Sequence, residues 1–130
     1  MNNFRQKSEK KAIEARELRQ KNNVPNMAVS HYVPALKEDL YKHLFPVSGS
    51  ISVITIVVNN ARDEDIIPIT IKYVYKDTII EMADNIMLGD NYIEANIKVN
   101  VGGILSISAS NINTEDNIVS NIFISFIVGK

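Results

Sequence analysis

Residues 92 to 101, YIEANIKVNV, alternate without a break, with Ile93, Ala95, Ile97, Val99 and Val101 set against Glu94, Asn96, Lys98 and Asn100. Successive side chains of an extended chain point to opposite faces. This spacing therefore gathers the apolar groups on one side of a strand. A helix turning every ~3.6 residues would scatter them around its circumference. The same period runs through most of the chain after Gly49. SISVITIVV (50–58), IIPITIKYVY (66–75), TIIEMA (78–83), ILSISAS (104–110) and IVSNIFISFIV (118–128) read as further strands. DNIMLGDN (84–91) reads as a turn region with a short strand or bulge.

In the second of these strands Ile67, Ile69, Ile71, Tyr73 and Tyr75 share the inward face. Pro68 cannot donate to a ladder, so it marks a strand start or an edge. Polar loops, NNARDED and NINTEDN, separate the strands, and Gly102-Gly103 makes a tight turn. No helical spacing intervenes between the strands, which argues against a parallel α/β sheet. The expectation is a mainly β chain, an antiparallel jelly-roll-like β-sandwich, preceded by an N-terminal α-helical arm.

That arm occupies residues 1 to 22. Ala, Glu, Lys, Arg, Gln and Leu dominate it, and these are strong helix formers. Arg5 with Glu9, Lys10 with Glu14 and Glu17 with Lys21 are spaced to meet on a helix surface over residues 4 to 21. The apolar stripe of Phe4, Ala12, Ala15 and Leu18 is thin. The arm thus reads either as a solvated helix or as one that docks on a partner. Residues 23 to 46 read as a linker and a short helix. PALKEDLYKHLFP puts Leu36, Leu40 and Leu44 on one helical face, although an extended segment is the alternative. Residues 47 to 130 are the β-sandwich domain.

The net charge of −1 divides unevenly. The arm holds seven Lys/Arg against three Glu, and the remainder holds seven Lys/Arg against twelve Asp/Glu. A basic arm on an acidic body suggests two surfaces with different partners.

The first and last strands of the β domain differ from the others, because both of their faces are largely apolar. In NIFISFIVGK, Ile122, Ile124, Phe126 and Val128 fill one face, while Phe123 and Ile127 add apolar groups to the other. In 50–58, Ser52, Ile54, Ile56 and Val58 share one face, and Ile51, Val53, Thr55 and Val57 share the other. A two-layer sandwich shows water one face of each strand. If these two strands are neighbours, Val53, Val57, Phe123 and Ile127 form one exposed patch of the kind that marks an interface. The alternative is cover within one subunit, by the arm or by the segment 34–45.

Site chemistry is scarce. The chain has no cysteine, which removes disulfides, thiolate metal sites and a thiol nucleophile. It also leans towards an intracellular product or a particle assembled inside a cell. The basic start has no apolar run after it, which argues against a signal peptide. No stretch approaches the ~20 apolar residues of a membrane span. His31 and His43 lie in or near the linker without acidic partners at ligand spacing. No serine sits in a nucleophile elbow, and no glycine-rich phosphate loop is present. Asp63, Glu64 and Asp65 cluster on a loop, where solvated charge is the ordinary reading, and Asp84, Asp90 and Asp116 read the same way. The chain lacks Trp, and Tyr92 is the tyrosine best placed for exposure on a strand, so a sugar platform has little to build on. The acidic body and the glutamates of the arm argue against nucleic acid. No catalytic, metal or cofactor site is expected.

The basic arm, the segment HYVPALKEDLY, the strands SISVITIVVNN and NYIEANIKVNVGGILSIS, and the terminal NIFISFIVGK together resemble tailed-bacteriophage virion proteins of the head-fibre or capsid-decoration (auxiliary capsid) type. The resemblance covers nearly the whole chain. It implies a non-enzymatic structural protein of the phage head, assembled in the host cytoplasm as a homo-oligomer, often a trimer. Its arm would dock on the major capsid or another virion protein through Phe4, Arg5, Lys7, Lys10, Lys11, Arg16, Leu18 and Arg19, while the β domain projects. The alternative is a receptor- or glycan-binding domain of a tail or baseplate fibre, with host-surface glycan as its partner.

Overall fold

The computed structural model describes residues 26–110 and 119–130. The arm read as a helix over residues 4 to 21, with its eight docking residues, lies outside them, as does Asp116. The described residues form eight strands: β1 Met27–Ala35, β2 Asp39–Leu44, β3 Gly49–Asn60, β4 Ile67–Tyr75, β5 Thr78–Ile86, β6 Gly89–Val99, β7 Ile104–Ala109 and β8 Ser120–Gly129. They build two four-stranded antiparallel sheets, ordered β1-β8-β3-β6 and β2-β7-β4-β5. The pairs β4–β5, β3–β6, β2–β7 and β1–β8 nest as one long hairpin folded back at Lys76 and Asp77. The β3–β8 and β4–β7 pairs then join the two halves of each sheet.

One core lies between the sheets. Ile54, Ile56 and Val58 of β3 and Ile122, Ile124, Phe126 and Val128 of β8 line one side. Ile69, Ile71 and Tyr73 of β4, with Leu105 and Ile107 of β7, line the other. The alternation read from the sequence puts these groups inward. Each fully buried aliphatic side chain contributes about 1.5–3 kcal/mol.

The sheets begin at Met27, earlier than expected. The segment read as linker and helix over 23–46 supplies β1 and β2, and no helix forms among the described residues. The three leucines that suggested a helical face go to different places: Leu40 is 1% exposed, Leu36 is half-buried and Leu44 is 64% exposed. From Tyr41 the period is two, with Tyr41, His43 and Phe45 turned towards the core and Lys42 and Leu44 turned out, and an irregularity in the β2–β7 ladder between Asp39 and Tyr41 lets Leu40 turn inward as well. Pro34 opens no helix; it sits in β1, an edge strand, where a missing N–H is tolerated.

Two further details depart from simple alternation. A bulge in the β3–β6 ladder, between Ile51 and Val53, turns Ile51 to the core side with Ile54 instead of outward with Val53. Asn96 lies within the same irregularity at φ 50°, a conformation asparagine tolerates better than most residues. Val101, expected inward, lies beyond the end of β6 and is exposed.

The Gly102-Gly103 turn is more than a reversal. Tyr73 lies fully buried beneath it, and its hydroxyl accepts a hydrogen bond from the Asn100 N–H at 2.8 Å. A side chain on Gly103 would collide with the Tyr73 ring, and Gly102 adopts φ 90°. Gly102 N–H donates to the Phe45 carbonyl and Phe45 N–H to the Gly103 carbonyl, each at 2.9 Å, which ties the end of β2 to this turn.

Candidate functional site

The outer face of the first sheet carries the residues expected to form a patch. β3 and β8 are its two central strands and run side by side. The register stacks Tyr32, Phe123, Val57 and Asp90 in one row across β1, β8, β3 and β6. Ser30, Ser125, Thr55 and Tyr92 make the next row. Beyond it Ile127 pairs with Ala28, and Val53 pairs with Glu94. Val53, Val57, Phe123 and Ile127 thus share one face of adjacent strands. Phe123 is 41% exposed, Val57 and Ile127 are half-buried, and Val53 is buried beside the bulge.

Tyr32, read from the sequence as linker, joins this patch. It is 48% exposed, and its ring centroid lies 4.9 Å from that of Phe123. Its hydroxyl donates to Asn121 Oδ1 at 2.6 Å, which fixes the ring over the strand pair. The signal that could have found it is the weak alternation of Met27, Val29 and Val33 with Ala28, Ser30 and Tyr32. At the β6 edge the patch turns polar, and the Tyr92 hydroxyl donates to Asp90 Oδ2 at 3.2 Å. The segment 34–45 does not cover this face, since it forms the end of β1 and strand β2 of the other sheet.

A second feature lies where β1 and β2 part. An open cleft of about 480 Å³ is lined by His31, Lys37, Asp39, Leu40, Tyr41, Lys42 and Ser106. Behind it the rings of His31 and Tyr41 stand 4.7 Å apart, and those of His43 and Phe45 also 4.7 Å apart. The Tyr41 hydroxyl and His43 Nδ1 share a hydrogen bond of 2.7 Å. Burial pushes the Tyr41 phenol up and the His43 imidazole down, so both favour their neutral forms. His43 Nε2 is buried and finds no hydrogen-bond partner among the described residues. The two histidines, distant in sequence, therefore flank one tyrosine. The His43 ring packs edge-on to Phe45 and Phe126, as a core group does.

The acidic candidates stay local. Asp65 closes a turn with Arg62, accepting from its backbone N–H at 3.2 Å and lying 3.7 Å from its Nε. Asp63 and Glu64 are exposed on that turn, and Asp84 accepts from the N–H of Asn85. Among the described residues no group of three or more His, Asp or Glu gathers as metal ligands would. The strongest feature is thus the aromatic and aliphatic patch on the first sheet, a surface suited to contact and not to proton transfer. No protein-family model, curated protein or solved structure matches this chain.

Proposed function

We propose that this chain is a non-enzymatic structural protein of a tailed-bacteriophage virion, a head fibre or auxiliary capsid protein. Its β domain self-associates, and residues 1 to 22 dock on capsid neighbours. The strand order is read here as a jelly roll, two Greek keys wrapped from one long hairpin. The observation that carries self-association is the exposed Tyr32–Phe123 ring pair adjoining Val57 across three strands, with Ile127 beyond the Ser125 row. Exposed aromatic rings beside aliphatic groups are the composition of interface cores. The virion setting is supported by the resemblance of the arm and strands described above.

The mass of the full chain in solution, by light scattering, tests self-association. The expected result is a homo-oligomer, a trimer on the phage reading, and a smaller but folded species for Phe123→Asp. An unchanged mass would remove the first sheet from the interface, and a single-chain mass for the wild type would remove self-association altogether. Immunogold labelling of purified particles tests location; label absent from heads rejects the head assignment.

A second reading, a glycan-binding fibre domain, is favoured by the same exposed rings beside the Asn121 side chain. Glycan-array binding that disappears in Tyr32→Ala would put it first.

A further inference from the structure

The outer face of the second sheet holds a surface that no single stretch of sequence reveals. Register aligns Leu44 of β2, Ile104 of β7, Val74 of β4 and Ile79 of β5 in one row from edge to edge. Leu44 and Ile79, at the ends of the row, are 64% and 62% exposed. The adjacent row is Lys42, Ser106, Lys72 and Glu81, and the next is Asp39, Ser108, Thr70 and Ala83. One apolar row is therefore flanked by one charged row whose two edge strands carry opposite signs.

We propose that a second copy of this chain packs face to face on this sheet, about a twofold axis running along the strands between β7 and β4. Such an axis lays β2 of one copy over β5 of the other, and β7 over β4. Leu44 then meets the second copy's Ile79, and Ile104 meets its Val74. Lys42 meets its Glu81, and Lys72 meets its Ser106. Each contact occurs twice, as an isologous interface requires. No like charges face one another in the three rows.

Within one chain Lys42 and Glu81 sit three strand spacings apart, about 14 Å, too far to pair with each other. Glu81 has Lys72 opposite it on β4, whereas Lys42 has Ser106, so the axis gives Lys42 the opposite charge that its neighbour in the row does not supply. A twofold axis across the strands would instead set β2 on β2 and β5 on β5, so that Lys42 and Glu81 could not meet and Glu81 would face only its own strand's Glu81, Ala83 or Ile79. Either axis keeps the strands of the two copies aligned within the ~30° usual for sheets packed face to face, and the Lys42–Glu81 contact is what selects the axis along the strands. This inference rests on the self-assembly reading above but uses the opposite sheet, so in the full chain it joins first-sheet oligomers to one another and raises the mass above that of a first-sheet trimer.

The test is a charge exchange made in the Phe123→Asp chain, with Phe123→Ser as the background should the aspartate unfold it. That background is expected at twice the chain mass. Lys42→Glu and Glu81→Lys change exposed residues, and circular dichroism should show each variant folded. Each alone sets like charges across the axis, and its dissociation constant should rise at least about tenfold. An equimolar mixture of the two variants should recover the double mass, because the introduced glutamate of one copy then faces the introduced lysine of the other. A mixture that stays at single mass overturns the proposal, and so do single variants that still dimerise as the background does. A single-chain mass for the background, beside an oligomeric wild type, overturns this inference and leaves the first-sheet interface standing. Equal wild-type and background masses that fall with Lys42→Glu do the reverse.

Discussion

The two outer faces of the sandwich are both partly apolar, but they are built differently. On the first sheet the apolar groups lie along the strands, with Val53 and Val57 on β3 and Phe123 and Ile127 on β8. With Tyr32 they lie over the central strands on either side of the Ser125–Thr55 row, and the face turns polar at β6. On the second sheet they lie across the strands, one from each, and form a row a single residue deep. A patch along strands is set by local sequence, whereas a row across strands is set by register. The first offers its exposed rings, Tyr32 and Phe123, as anchors. The second offers a narrow seam whose specificity comes from the charges beside it.

The largest effect should come from the group that joins the faces. Phe126 points inward from β8, and its ring lies near those of Tyr41, His43 and Phe45 from the second sheet, at 6.2, 6.0 and 6.2 Å. Phe126→Ala is expected to cost about 3–5 kcal/mol and to lower the midpoint of urea unfolding. It should weaken association through both faces. If only one face responded, the sheets would not share one core in the way their packing indicates.

That contrast also explains what could be read without a structure. Six strands were legible because each keeps its own alternation, and the patch residues were legible because β3 and β8 each carry apolar groups on both faces. The pairing of Val57 with Phe123 followed once those strands became neighbours. Two strands were missed. In β2 the leucines at 36, 40 and 44 imitate a helical stripe, while the period-two signal rests on Tyr41, His43 and Phe45, which are aromatic or titratable. In β1 a histidine, His31, in step with Val29 and Val33, and an edge Pro34 blur the alternation. The seam on the second sheet was not legible, since Leu44, Ile104, Val74 and Ile79 become a row only when four registers are known. The close approach of Gly103 to Tyr73 was hidden for the same reason.

A smaller effect should separate the faces. Gly103→Ala forces the added methyl against the Tyr73 ring, and overpacking of this kind costs about 1–3 kcal/mol. The turn is tied to Phe45 and leads into Ile104, so the strain falls at the Leu44–Ile104 end of the second sheet. Thermal unfolding should register the loss of stability. In the Phe123→Asp background, self-association should weaken beyond what that background shows alone. Tyr32–Phe123 contacts, on the opposite sheet, should keep their nuclear Overhauser pattern.

The smallest effect is a pH dependence, and it too should fall on one face first. His43 lies on the inner side of β2, backed by Phe45 and Phe126, and a protonated ring would need an acceptor at Nε2 that the described residues do not supply. Desolvation therefore holds its pKa below the ordinary 6.5 in the folded chain. The unfolded chain takes up the proton first. Stability from this group is fully present above about pH 6.5, declines as pH falls below that value, and stops declining once pH passes the folded pKa. His43→Phe should flatten that part of the stability curve. Lys42 and Leu44, its neighbours on the outer side of the same strand, belong to the seam. Amide protection factors, which divide out the base-catalysed slowing of exchange in acid, should accordingly fall in β2 below about pH 6.5 before they do in β8, and an equal fall in both strands would show that acid loosens the sandwich as one unit.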